Sequence, residues 1–209
     1  NIMSRIFQTL IYFCLFFSSL CTAAEQDVYT VYIVPQFTAL EIHKTWTPLL
    51  DKLSQATKLK FELKVAPSIP AFEQAIFKGE ADFAFMNPYH EVVAKHKQGY
   101  IPLIRDATPL EGILLVKKDD PIQSLAELNG KEVAFPAPNA FAASLYIRAI
   151  LAQQGINISP RYVKTHSNVY RSILVGDTIA GGGVNNTLQR ETEEIKQQLR
   201  VLYLSLIHI

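Results

Sequence analysis

The sequence predicts an α/β fold of two lobes that are joined by a hinge. Apolar, β-branched segments alternate with segments of helical periodicity, the loops between them are short, and one Pro- and Gly-containing segment divides the alternation into two series. Such alternation predicts parallel strands with helices on both faces of a sheet, because parallel neighbours need a crossover connection. Ligands of these sheets bind beyond the carboxyl ends of the strands.

The first lobe is predicted over residues 25–110. Pro88 opens one helix at its first position, where a missing N–H costs nothing, and Pro48 either kinks the first helix or marks a second start. The predicted strands are 28–34, 61–66, 81–86 and 101–104, and the predicted helices are 39–56, 72–79 and 88–99.

The second lobe is predicted over residues 111–205, after a candidate hinge at 108–112. Its glycine triplet, 181–183, weakens a strand but allows another backbone to approach closely. The predicted strands are 113–116, 132–135, 161–165, 178–184 and 201–204, and the predicted helices begin near 125, 139, 169 and 188.

Residues 1–24 are predicted to be a cleaved signal peptide, with Arg5 ahead of an apolar run and small residues at 22–24; a single anchor helix is the alternative. Of the 20 Lys and Arg residues only Arg5 lies in this segment, and none of the 19 Asp and Glu residues does, so the remainder is neutral. We therefore expect no nucleic-acid partner. Because the segment directs export, a periplasmic location is expected, and the protein is expected to be a monomer. Both cysteines, Cys14 and Cys21, fall in the segment, which leaves the mature chain without thiols; lipidation at Cys21 stays open.

A candidate anion site follows the strand at 132–135. A Pro-rich turn leads to Asn139, a favoured N-cap residue, and to small residues that open a helix ending at Gly155. The first N–H groups of a helix lack internal partners and carry partial positive charge, so they bind anions. Ala140, Ala142 and Ala143 would let a ligand approach that backbone; an ordinary βα turn is the alternative.

Further candidates follow other strands. His166 is expected in a polar loop, beside the Asn139 turn if the two preceding strands are adjacent, and Arg171 could bind an oxyanion with its guanidinium group. Tyr89 and Phe37 could cover the ligand from the first lobe. The five histidines show no metal-ligand spacing with carboxylates, and no nucleophile elbow or P-loop is present, so neither a cofactor nor an enzyme is predicted.

Four segments resemble one family. They are Trp46-x-Pro48-Leu49; residues 79–84 leading into Asn87-Pro88-Tyr89; residues 124–135; and Thr165-His166 before a short helix that ends at Gly176. Over about residues 28–205 the chain resembles the exported substrate-binding proteins of phosphate, phosphite and phosphonate ABC transporters. The resemblance implies a type II periplasmic-binding fold, in which the helix start of the second lobe and His166 hold an oxyanion that Tyr89 covers. It also implies an ABC permease of the inner membrane as partner.

Two departures accompany the resemblance. The family's phosphonate binders usually have Ser-Thr-Ser-Gly at the helix start, where this chain has Ala140-Phe141-Ala142-Ala143. Hydroxyl donors are therefore lost, and Ser144 and Arg171 are the candidates to replace them. Residues 206–209 differ from the family's continuation, so a fragment that lacks the return to the first lobe is expected.

Three functions stay open at this point. The first is capture of a small oxyanion for an ABC importer. The second is the same fold as the ligand-sensing input of a signalling partner. The third, ranked far behind, is an exported hydrolase that uses Ser144 and His166.

Overall fold

The computed structural model describes residues 27–206, which form two sheets flanked by helices. The predicted signal peptide, with Cys14 and Cys21, lies outside the described residues, as do residues 207–209. The strands are β1 Val28–Ile33, β2 Lys60–Val65, β3 Phe83–Phe85, β4 Glu111–Lys117, β5 Glu132–Phe135, β6 Ser159–Tyr162, β7 Ala180–Val184 and β8 Leu199–Leu206. The α-helices are α1 Ala39–Thr57, α2 Ile69–Phe77, α3 Pro88–Gln98, α4 Tyr146–Gln153, α5 His166–Val175, α6 Asn185–Gln189 and α7 Glu193–Gln197; a 3₁₀ turn, Leu125–Leu128, and a π-helical turn, Phe141–Leu145, complete the set.

The first sheet has the order β2-β1-β3 and is entirely parallel, as predicted. Its helix α1 starts with a capping box, in which Thr38 Oγ1 accepts from the Glu41 N–H at 3.3 Å and Glu41 accepts from the Thr38 N–H at 3.1 Å. Pro48 lies inside α1, which continues past it to Thr57.

The predicted strand at 101–104 is wrong. These residues have no regular structure, and Ile101, Leu103 and Ile104 are 72%, 67% and 95% exposed. An apolar segment becomes a strand only where a neighbouring strand takes up its hydrogen bonds, and within residues 27–206 none pairs with it.

The second sheet has the order β6-β5-β7-β4-β8 and is mixed. Strand β5 is parallel to β6 and β7, whereas β4 is antiparallel to β7 and β8. In place of the predicted helix from 188 there are two short helices, α6 and α7, and residues 190–192 between them are not helical.

The apolar core consists of several clusters, and one of them joins the two sheets. It combines Val34, Ile69 and Phe72, from the side of the first sheet, with residues that follow β5 and with Val184 at the end of β7. Carboxyl ends of strands from both sheets therefore face each other across this cluster. Among residues 27–206, no helix is both long and apolar enough to cross a bilayer.

Candidate functional site

The helix that follows β5 begins with a π-helical turn. Its N-cap residue is Ala140, one residue later than predicted, and no side chain caps it. The Ala140 carbonyl accepts from the N–H groups of Ser144, at 2.8 Å, and Leu145, at 3.2 Å. The N–H groups of residues 141–143 therefore precede the first hydrogen bond of the helix, as the predicted anion site requires.

Glycines bring this turn close to the second sheet. A Cβ atom on Gly182 of β7 would overlap the carbonyl oxygen of Ala143 and lie 2.7 Å from the Phe135 ring. A Cβ atom on Gly112 of β4 would similarly overlap the Ala142 carbonyl oxygen. The glycine triplet was predicted to let another backbone approach closely, and the backbone that does so is that of the candidate anion-binding turn.

His166 lies beside the turn because β5 and β6 are parallel neighbours. It is the first residue of α5 and not a loop residue, since Thr165 Oγ1 caps that helix by accepting from the Asn168 N–H at 3.1 Å. The His166 side chain is 3% exposed, and its Nδ1 atom is buried without a hydrogen-bond partner. Burial lowers the pKa of His166 to about 4, so the imidazole is neutral at neutral pH.

A small pocket, partly open to solvent, lies between the two sheets at this point. Both sides of the cleft contribute to its lining, which is mostly apolar. The lining residues are Val34, Gln36, Ile69, Asn87, Leu110, Ala140, Phe141, Ala142, Ala143, His166 and Val184.

Hydrogen bonds join the two sides at the rim of the pocket. Asn87, the N-cap of α3, donates from Nδ2 to the main-chain oxygen of Asn139 at 3.2 Å. Asn139 in turn donates from its own Nδ2 to Glu73 of α2 at 3.3 Å, and the other Glu73 oxygen lies 2.9 Å from Nε2 of the fully buried His90. Asn139 thus ties the helix start to the first sheet. Asn87 was visible from the sequence as the residue after a strand, whereas nothing in the sequence marked Glu73.

The structure does not bring the other candidates into the pocket lining. Ser144 is fully buried, and its Oγ accepts from Arg148 Nε at 3.2 Å. Arg171 is half exposed, donates to Ser167 and lies 4.0 Å from Glu191.

The two aromatic candidates also lie outside the lining. Tyr89 is half-buried, with its ring 5.9 Å from that of His90, and Phe37 lies 4.1 Å below the Arg190 guanidinium. Ligand contacts by Tyr89, Phe37, Ser144 and Arg171 stay predictions. In the described part of the chain, no group of three His, Cys, Asp or Glu residues could hold a metal ion.

Residues 31–206 match the family model described as "ABC transporter, phosphonate, periplasmic substrate-binding protein". The chain belongs to this family. A curated relative, the phosphate-import protein PhnD of Mycolicibacterium smegmatis, is 27% identical over 177 residues, which are 80% of this chain and 53% of the relative. The chain thus spans about half the length of that relative.

Solved structures of binding proteins share the fold. PhnD1 of Prochlorococcus marinus, in complex with methylphosphonate, has a TM-score of 0.78 at 14% identity, over 86% of this chain and 72% of that one. The binding component of a Pseudomonas aeruginosa ABC phosphonate transporter has a TM-score of 0.73 at 17% identity, over 88% and 67% of the two chains. The predicted periplasmic-binding fold is confirmed, while the lobe boundary at residue 110 stays a prediction.

Proposed function

We propose that this protein binds a small oxyanion of the phosphate, phosphite or phosphonate class in the periplasm and delivers it to an ABC permease of the inner membrane. The observation that carries the proposal is that two kinds of polar group without a hydrogen-bond partner meet at one pocket: the N–H groups of residues 141–143 and Nδ1 of the buried His166. Family membership supports the transport role, and the phosphate and methylphosphonate named for its relatives support the ligand class.

The helix start would bind the anion through main-chain donors. N–H groups at a helix N-terminus point at a ligand and add the positive end of the helix dipole. Because Gly182 lets the Ala143 carbonyl lie against β7, the turn is supported from behind and its donors are fixed before the ligand arrives. A neutral His166 can supply one further N–H donor.

The hydrogen bonds of Asn139 would favour the closed cleft. They connect the helix start to Asn87 and Glu73 on the opposite side, so a ligand held by the helix start is enclosed when these contacts form. Opening would break them and release the ligand to a permease, as in hinge-type closure of two lobes. The proposal includes no catalytic step.

Thermal melting of the full-length protein tests this function. Phosphate, phosphite, methylphosphonate and small carboxylates are added separately, and a phosphorus oxyanion at 100 times its dissociation constant should stabilise by about 2.7 kcal/mol, a shift of a few degrees. The shift should shrink strongly in His166→Asn, which keeps an amide donor but changes its position. No shift with any phosphorus oxyanion would refute the proposal.

A further inference from the structure

We infer that the pocket selects singly charged oxyanions and rejects dianions, a selectivity that rests on the proposed function and narrows its ligand class. Three observations carry the inference: the donors are uncharged, the lining is mostly apolar, and a carboxylate is bonded to the residue that precedes the helix start.

The described lining residues supply no full positive charge. They include no Lys or Arg, and His166 is the one ionisable side chain among them. Its pKa is lowered by burial alone, and it is therefore neutral when the protein functions near neutral pH. A helix N-terminus contributes the equivalent of roughly half an elementary charge, which can offset part of one negative charge but little of a second.

The surroundings make a second charge more costly. Val34, Ile69, Leu110 and Val184 form apolar walls, and a charge that leaves water for such walls needs a partner. Hydroxyl donors, which could spread the charge of a dianion, are absent from positions 140–143.

Charged side chains near the site do not make the binding of a dianion more favourable. Glu73 accepts from Asn139 and so places a negative charge next to the helix start. Arg148 is engaged by the Ser144 hydroxyl and the main chain, and Arg171 is half exposed beside Glu191.

Four ligands with different ionisation test whether the pocket binds monoanions in preference to dianions. Methanesulfonate is a monoanion and sulfate a dianion at every pH of interest, whereas methylphosphonate and phosphate pass from monoanion to dianion at their second ionisation. Calorimetric titration of the full-length protein with each ligand, on both sides of that ionisation, measures which form binds.

The expected result has three parts. Methanesulfonate binds with a dissociation constant that does not change with pH, and sulfate binds at least about tenfold more weakly. For methylphosphonate and phosphate the dissociation constant rises about tenfold per pH unit above the second ionisation, because the fraction of monoanion falls by that factor. His166→Asn weakens binding but keeps this slope, since the titrating proton belongs to the ligand.

Each contrary result has its own meaning. If sulfate binds as tightly as methanesulfonate, or if methylphosphonate binding is unchanged or tighter at high pH, the inferred selectivity is overturned while the proposed function stands. If the slope disappears in His166→Asn, protonation of the histidine and not of the ligand governs binding, which also overturns it. If none of the four anions binds at any pH, the proposed function itself fails.

Discussion

Replacing Gly182 by alanine tests whether the candidate anion-binding turn depends on β7. The new methyl group would overlap the Ala143 carbonyl oxygen and lie 2.7 and 2.8 Å from two atoms of the Phe135 ring, closer than real Cβ contacts. A backbone oxygen inside a helical turn can yield only if the whole turn moves. Overpacking of this kind costs about 1–3 kcal/mol, and we expect the upper end, about 3 kcal/mol. For a chain of this size that corresponds to a melting temperature lower by roughly 6–12 °C.

Gly181→Ala is the matched control on the same strand. There the added methyl group meets mainly the ends of side chains, Val169 Cγ1 and Ile173 Cδ1, on the other side of the sheet. We expect it to lower the melting temperature while leaving the affinity for methylphosphonate unchanged, whereas Gly182→Ala should weaken both. Melting curves and calorimetric titration measure the two quantities. Equal affinity in wild type and Gly182→Ala, or an equal loss in both variants, would refute the coupling between this glycine and the site.

Three further predictions concern the pocket and its rim. Because burial lowers the pKa of His166 from 6.5 to about 4, the unfolded chain binds a proton between these pH values that the folded chain does not bind. The contribution of His166 to stability is therefore full above pH 6.5 and falls by about 3 kcal/mol as the pH drops to about 4. Urea unfolding should show this loss in wild type but not in His166→Asn. Asn87→Ser keeps a helix cap that Asn87→Ala loses, so the Asn87→Ala variant should be about 1 kcal/mol less stable than Asn87→Ser. Both variants lose the hydrogen bond to Asn139, so both should bind methylphosphonate more weakly, and to the same extent. Glu73→Ala leaves His90 buried without its carboxylate and costs about 1–3 kcal/mol; small-angle scattering of the ligand-free protein should show a larger radius of gyration, and an unchanged radius would contradict the role of Glu73 in closure.

Local signals predicted most of the fold and the position of the central residues of the candidate site. The strand at 132–135, the turn and the helix after it follow from apolar pattern and helix-stop signals, and the closeness of His166 follows from the pairing of parallel strands. Two local details differed: the N-cap after β5 is Ala140 and not the predicted Asn139, and the helix that contains His166 begins after the cap Thr165 and not near residue 169.

The tertiary contacts could not be predicted in the same way. Glu73 lies on a helix with no motif around it. Its hydrogen-bond partners are distant in the sequence: Asn139 is 66 positions away and His90 is 17 positions away. Such contacts depend on how the two sheets face each other, which no short window of sequence records. The strand predicted at 101–104, an exposed segment, was wrong for a related reason. Its apolar pattern is a local property, whereas a strand also needs a partner strand, which a local pattern does not record.

The alanines at the helix start and the glycines of β7 are two sides of one contact. Ala142 and Ala143 are 1% exposed and belong to the cluster that joins the two sheets, so their methyl groups pack between the lobes. Their carbonyl oxygens meanwhile lie against Gly112 and Gly182. With side chains and carbonyls both used in packing, only the N–H groups remain to bind a ligand. The loss of hydroxyl donors and the close helix–strand packing therefore support the same proposal: main-chain donors and one neutral histidine would bind the anion, with little capacity for a second negative charge.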